Sequence, residues 1–176
     1  MKKFWKITKR VLLITTGAIA LFFIVLLTFG SFAEIHYNGT ETKVIKATPE
    51  QVWNVLSNVE RYSGSRHEVK RVEVLSRDEN GVKSWKEHTN LHGAMTYQAL
   101  EEIPNEKMVI QMVKSDFGLS GIWTFTLKEE NGETVVSLHE DSDAKGLLMR
   151  SILNALGRNA NQKLLLMTLE KEVKKG

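Results

Sequence analysis

The sequence predicts an α+β domain preceded by one transmembrane helix. Three observations predict it: an uncharged segment from Val11 to Ala33, several strand-like segments between Val69 and Asp141, and a long amphipathic helical pattern from about Leu147 to Lys174. A first strand at Thr42 to Lys46 and two short helices come before the other strands. The predicted order is therefore strand, two short helices, antiparallel strands and a long closing helix.

The N-terminal segment has the charge pattern of a membrane anchor. Five basic residues and no acidic residue lie within residues 1–10, and residues 11–33 carry no charge. As a helix, this uncharged segment would be about 35 Å long, enough for the ~30 Å hydrocarbon core of a bilayer. The positive-inside rule then predicts a cytoplasmic basic segment at 1–10, a single transmembrane signal anchor at 11–33 and an extracytoplasmic domain at 34–176.

Two alternatives to the anchor remain open from the sequence. Ser31 and Ala33 are small residues at the spacing that a signal peptidase accepts before Glu34, which would make the segment a cleaved signal peptide. The apolar region is longer than usual for such a peptide, which favours the anchor. The other alternative is a buried core helix.

Charge and composition exclude several classes of function. The chain has 24 basic and 21 acidic residues, but five basic residues precede Glu34, so the domain has 24 − 5 = 19 basic against 21 acidic residues. A net charge of −2 without a basic cluster predicts no nucleic-acid binding. The absence of cysteine excludes disulfides, thiol catalysis and cysteine-ligated metals.

The segment Ala47 to Tyr62 contains a strong helix start. Thr48 is a good N-cap, Pro49 suits the first helical position, and Gln51 completes a capping box. The helix should bury a stripe of apolar residues, Val52, Trp53, Val55 and Leu56.

The turn Asn131-Gly132 predicts a hairpin and its register. A two-residue loop there pairs Trp123 with Glu140 and Phe125 with Leu138 on one largely apolar face. This face should point toward the helices, with Glu140 as its charged member.

Two further hairpins are predicted in the same way. Around the turn Asn80-Gly81, Ser76 lies opposite Trp85 and Val74 opposite Glu87, which places Glu87 on the inner face. A loop at residues 103–106 pairs Tyr97 with Met112 and Ala99 with Ile110.

The closing helix is predicted to bury a stripe of residues at helical spacing, Met149, Ile152, Leu153, Leu156, Ala160, Leu164 and Met167. Gly157 and Ala160 are small residues in mid-helix. They leave room either for a cavity under the sheet or for close packing against it.

The motifs VIKATPEQVWNVLSNVERY and GIWTFTL, together with the C-terminal helix, resemble the SRPBCC superfamily, the START-like or polyketide cyclase/dehydrase-like group. The resemblance covers about Thr42 to Leu169. It implies a helix-grip fold, in which a curved antiparallel sheet of about seven strands wraps around the C-terminal helix. The superfamily includes lipid carriers, hormone receptors and cyclases, so the resemblance implies the fold more closely than the activity. Many relatives carry a Trp shortly after Tyr62, whereas residues 64–67 here read GSRH.

We predict an internal apolar cavity that binds a small hydrophobic or lipid-like ligand. Its expected lining residues lie on the inner sheet face and the closing helix: Trp85, Glu87, Tyr97, Ile110, Met112, Trp123, Phe125, Leu138, Glu140, Met149, Leu153, Leu156, Gly157 and Ala160.

The polar residues of this region allow more than one interpretation. Glu87 and Glu140 are either pocket carboxylates with raised pKa or solvated strand-end residues. Arg66 and His67 are expected in an exposed loop, or at the cavity entrance. No catalytic residue, metal site or cofactor is predicted, and the sequence does not identify a protein partner.

Three functions follow from these patterns. The first is a membrane-tethered carrier or sensor of an apolar ligand. The second is a cyclase- or dehydratase-like enzyme with Glu140, Glu87 or His139 as a lone general base. The third is a ligand-free domain that contacts a partner protein.

Overall fold

A computed structural model of the chain describes residues 2–175. The elements follow the predicted order: α1 Lys2–Phe32, β1 His36–Ile45, α2 Pro49–Leu56, a 3₁₀ turn Val59–Arg61, α3 Tyr62–Ser65, β2 Val69–Asp78, β3 Gly81–Thr89, β4 Ala94–Ile103, β5 Lys107–Ser115, β6 Leu119–Glu130, β7 Glu133–Ala144, α4 Leu147–Leu156 and α5 Ala160–Val173.

The seven strands form one curved antiparallel sheet in the order β1-β7-β6-β5-β4-β3-β2. Inner-face side chains pack with Val52 and Leu56 of α2 and with Leu166 and Leu169 of α5 in one hydrophobic core. This arrangement confirms the predicted α+β helix-grip fold.

The start of α2 is capped as predicted. The Gln51 backbone N–H donates to Thr48 Oγ1 at 3.3 Å, and the Thr48 N–H donates to Gln51 Oε1 at 3.0 Å. This capping box and Pro49 fix the entry of the helix. Val52 and Leu56 are buried at 0% and 4% exposure, so the predicted apolar stripe faces the core.

Two of the three predicted hairpin registers are confirmed. Asn131 and Gly132 have φ of 55° and 79°, as a two-residue turn of the primed type requires, and Trp123 lies opposite Glu140. Tyr97 lies opposite Met112 as predicted, although the β4–β5 ladder contains an irregularity between Ala99 and Glu101.

The register predicted for the β2–β3 hairpin is wrong. Val74 lies opposite Trp85, and Val72 opposite Glu87, because the turn closes on Asp78 and Gly81, one residue earlier than expected. Moving a turn by one residue shifts each cross-strand partner by two positions. Since side chains alternate between the two faces of a sheet with a period of two, a shift by two positions leaves each residue on its predicted face. Trp85 and Glu87 therefore still point inward.

The continuous helix predicted from Leu147 to Lys174 is also wrong. Gly157 adopts φ of +93°, a left-handed conformation that ends α4, and α5 starts at Ala160. The break changes the helical phase of α5, so Leu164 and Met167 of the predicted buried stripe are exposed at 53% and 60%. Leu156, the last residue of α4 before the break, is also exposed, at 70%.

The buried side chain of Gln162 fixes α5 to the sheet. Its Nε2 donates to the carbonyls of Leu138 at 2.9 Å and Gly39 at 3.0 Å, while Tyr37 Oη donates to its Oε1 at 2.8 Å. Gln162 is 0% exposed, and all these polar groups satisfy one another. The network therefore holds the helix across β1 and β7.

The apolar helix α1 lies largely outside the core. The stretch Thr8–Phe32 is long and apolar enough to cross a membrane, and its most apolar window has no buried residue. The core-helix alternative is therefore wrong. The end of α1 packs against α4, near the edge of the sheet where β1 starts and β7 ends.

Candidate functional site: an internal apolar cavity

A cavity of about 670 Å³ lies between the inner face of the sheet, α3 and the two C-terminal helices. Its volume falls in the range of known small-molecule sites. Its middle is apolar, with side chains from five neighbouring strands, Trp85, Tyr97, Ile110, Met112, Trp123 and Phe125 among them.

The structure brings most of the predicted lining residues together. All of the predicted strand residues except Leu138 line the cavity, and Met149 and Leu153 of α4 line it as well. Leu138 instead lies in the solid core at 0% exposure. Leu156, Gly157 and Ala160 do not line the cavity, because the helix break turns this segment away from it.

The first polar region of the cavity is the buried ion pair of Arg66 and Glu87. Arg66 Nη1 lies 3.2 Å from Glu87 Oε1 and 3.1 Å from Oε2, and the two side chains are 14% and 1% exposed. Trp85 Nε1 donates to Glu87 Oε1 at 3.0 Å, and Arg66 Nε donates to Glu68 at 2.7 Å. The pair is therefore anchored on both sides.

Burial and ion pairing act in opposite directions on these groups. Burial raises the pKa of the Glu87 carboxyl, and the neighbouring Arg66 guanidinium offsets part of that rise. Burial alone would lower the pKa of Arg66, but Glu87 raises it, so Arg66 stays charged. Burial also raises the pKa of Tyr62 and Tyr97, so both phenols remain neutral hydrogen-bond donors.

An aromatic layer connects this pair to the middle of the cavity. The Trp85 and Tyr97 rings stack with centroids 5.5 Å apart, and Tyr97 meets Trp123 edge to face at 6.5 Å. Arg66 lies 5.4 Å from the Tyr62 ring centroid, and Tyr62 Oη donates to the Leu56 carbonyl at 2.7 Å.

The second polar region is formed by Glu140, Ser142 and Trp123. Ser142 Oγ donates to Glu140 Oε1 at 2.6 Å, whereas Glu140 Oε2 and the Trp123 indole N–H have no hydrogen-bond partner among the residues that the structure describes. Burial raises the pKa of Glu140, and the Ser142 hydroxyl and the Trp123 indole N–H oppose the rise; the indole thus lies near the carboxyl, although its N–H is not aligned for a hydrogen bond. An unpaired buried donor and acceptor are costly, so these two atoms can recognise a polar group on an otherwise apolar ligand.

Arg66 is the principal residue that sequence reasoning missed. Its guanidinium is buried against Glu87, although its loop was expected to be exposed, and His67 beside it is exposed at the cavity rim. A signal was present, because Glu87 was predicted to point inward and a buried carboxylate requires a cation or donors nearby.

Other candidate groups lie away from the cavity. His139, considered as a general base, faces the outer side, where its Nδ1 lies 3.0 Å from Thr40 Oγ1. Within residues 2–175, no group of three or more His, Cys, Asp or Glu side chains is placed to hold a metal ion.

We predict that Arg66→Met destabilises the chain by about 3–5 kcal/mol at pH 7, because it leaves Glu87 buried without its counter-charge. Without Arg66, the pKa of Glu87 in the folded state lies further above its value in the unfolded state. The contribution of neutral Glu87 to the stability of the variant is then fully present below the unfolded pKa of Glu87. It is lost as the pH rises through the folded pKa of Glu87. The loss should consequently be smaller at pH 5 than at pH 7, measured by urea unfolding in detergent.

The matched variant for this test is Arg66→Met combined with Glu87→Gln. It should recover much of the stability and lose the added pH dependence, since no buried carboxylate remains. An equal loss at both pH values, with no recovery in the double variant, would show that the pair does not carry this energy.

Comparisons with known proteins agree with this geometry. A family model described as polyketide cyclase / dehydrase and lipid transport matches residues 45–166. No curated protein matches the chain in a sequence search.

Solved structures share the fold at low identity. A START superfamily protein from Mycobacterium smegmatis is 15% identical with a TM-score of 0.65, covering 81% of this chain and 99% of its own. The Zhui aromatase/cyclase from Streptomyces sp. R1128 is 13% identical with a TM-score of 0.68, covering 80% and 94%. Norcoclaurine synthase from Thalictrum flavum is 12% identical with a TM-score of 0.60, covering 85% and 92%. The family model matches well over half of the residues of this chain. The chain therefore belongs to the polyketide cyclase / dehydrase and lipid transport family.

Proposed function

We propose that the protein is a membrane-anchored carrier or sensor that holds one small hydrophobic or lipid-like molecule in the cavity. The observation that carries this proposal is the combination of an apolar 670 Å³ space with a few placed polar groups, the composition typical of small-molecule sites. Arg66 with Glu87 and Trp123 with Glu140 supply those polar groups.

The anchor is the second part of the proposal. Residues 11–33 cross the bilayer once, residues 1–10 lie in the cytoplasm and the domain 34–176 lies on the other side. Support comes from the uncharged length of the segment and from five basic residues before it, against Glu34 directly after it. Such a tether keeps the cavity beside a lipid phase, which favours an apolar ligand.

A cavity-filling variant tests ligand binding. Met112 lines the cavity from β5, so Met112→Trp should occupy ligand space and weaken binding of a dansyl-labelled fatty acid at least tenfold, while thermal stability stays within a few degrees. The titration uses the full chain in detergent, with probe fluorescence as readout.

Val113→Trp is the matched control, because Val113 is the next residue on β5 and is 50% exposed. It should leave the affinity unchanged. A parent chain that binds neither fatty-acid nor sterol probes would overturn the carrier proposal and favour a ligand-free interaction domain, in which Met112→Trp overpacks the core and costs roughly 1–3 kcal/mol.

A second candidate is an enzyme of the cyclase or dehydratase kind. It is favoured by the buried Glu140, whose pKa is raised by burial and whose Oε2 is free to act on a ligand. It is also consistent with the structural similarity to an aromatase/cyclase and to norcoclaurine synthase.

Glu140→Gln distinguishes the two candidates. A carrier should keep its probe affinity within about threefold, because the amide preserves shape and hydrogen bonding. A lone general base would instead lose typically 10²- to 10⁴-fold in rate on conversion of a polyketide-like substrate. Measurable turnover by the parent chain, lost in Glu140→Gln, would replace the carrier with the enzyme.

A further inference from the structure

The helix α4 lies against the last turns of the apolar helix α1. Arg150 Nε donates to the Gly30 carbonyl at 2.7 Å, and Ser151, which is 0% exposed, packs directly on Gly30. A Cβ at Gly30 would lie 1.7 Å from Ser151 Oγ, so the contact requires glycine there. The two helices are therefore closely packed at the end of α1 that leads into the domain.

Arg158, just after α4, contacts the residues that follow α1. The Arg158 guanidinium donates to the carbonyls of Glu34 and Ile35 at 3.4 and 3.3 Å, and it lies 5.4 Å from the Tyr37 ring centroid. Residues 150–151 of α4 thus contact the end of α1, and Arg158 after α4 contacts the residues that connect α1 to β1.

The outward face of α4 is apolar. Leu148 and Leu156, which lie about 80° apart around the helix axis, are 49% and 70% exposed, whereas Met149 and Leu153 line the cavity. One helix thus separates the cavity from an uncovered leucine surface.

The sequence of α4 and its flanks is basic. Lys145, Arg150 and Arg158 lie within residues 145–158, and no acidic residue does. The nearest preceding acid, Asp143, has His36 Nδ1 at 3.1 Å. Exposed leucines flanked by basic residues are the pattern of helices that lie in the head-group region of anionic membranes.

The rim of the cavity lies at this end of the sheet. The antiparallel register places the start of β1, the end of β7 and the turn between β3 and β4 at one edge. Leu91 in that turn is 74% exposed and lines the cavity, as does His67. The rim therefore faces the side from which α1 enters.

We propose that α4 lies in the head-group layer of an anionic lipid leaflet and holds the cavity rim, with Leu91, against the bilayer. The ligand then passes between leaflet and cavity beside Met149 and Leu153 without crossing water. This proposal rests on the proposed function, because it requires α1 to span the membrane and the cavity to accept an apolar ligand.

The depth of α4 in the bilayer can be measured with a dye on a single introduced cysteine, because the chain has no cysteine of its own. The full chain is reconstituted in vesicles of phosphatidylcholine and phosphatidylglycerol, with an environment-sensitive dye at Leu148→Cys or Leu156→Cys. Both dyes should be quenched by nitroxide-labelled lipids. A dye at Asn131→Cys, in the turn at the opposite end of the sheet, should not be.

A matched pair of variants tests ligand passage. Leu148→Asp should slow transfer of the dansyl fatty acid from these vesicles at least fivefold and leave its affinity in detergent unchanged. Leu75→Asp, on β2 and also 49% exposed, should change neither. Replacing phosphatidylglycerol with phosphatidylcholine should also slow transfer by the parent chain.

The outcomes separate this proposal from the one on which it rests. Unquenched dyes at 148 and 156 in a chain that resists alkaline carbonate extraction, or equal transfer rates for Leu148→Asp and Leu75→Asp, would overturn the interfacial position of α4 alone. Release of the chain by carbonate would overturn the anchor, and absence of probe binding in detergent would overturn the carrier.

Discussion

The left-handed break at Gly157 is the constraint on which the arrangement of the C-terminal segment depends. A continuous helix from 147 to 173 would follow one straight path over the sheet. The break lets α5 lie across β1 and β7, held by the buried amide of Gln162, while α4 packs on α1 at the edge of the sheet. Neither helix fills the space under the central strands, and the cavity occupies it.

The chemistry of the cavity depends on which of its few polar atoms already have partners within the protein. The Arg66–Glu87 pair is internally compensated, with Trp85 and Glu68 completing its contacts, so it can orient a ligand while remaining stable when the cavity is empty. Glu87 Oε2 makes no hydrogen bond, but it lies 3.1 Å from Arg66 Nη1 and is compensated by that charge. Glu140 and Trp123 differ, because within the described residues Glu140 Oε2 and the Trp123 indole N–H have neither a hydrogen-bond partner nor an ion-pair partner. A ligand hydroxyl or carbonyl at that position would gain the hydrogen bonds that the protein leaves unmade.

The sequence was sufficient where local chemistry determined the structure. The capping box at Thr48 and the turn at Asn131-Gly132 are specified by residues within a few positions of one another, and both formed as predicted. The β2–β3 turn closed one residue early, yet Glu87 kept its face because side-chain parity is insensitive to that shift. Ten of the fourteen predicted lining residues consequently lie on the cavity.

Features set by distant contacts were not predictable. Burial of Arg66 depends on a carboxylate 21 residues later. The helix break is different, because Gly157 is a local stop signal that the helical periodicity on both sides of it outweighed. The packing of Gly30 on Ser151 joins residues 121 positions apart, since 151 − 30 = 121, and no local pattern announces it.

If the protein works as proposed, its cavity holds one apolar molecule in the membrane. Native mass spectrometry of the full chain, extracted from membranes in mild detergent, tests it most directly. We expect a second mass peak corresponding to one bound small molecule, which is extractable into organic solvent and is diminished in Met112→Trp. A single peak at the mass of the unliganded chain, unchanged after incubation with a total lipid extract, would contradict it.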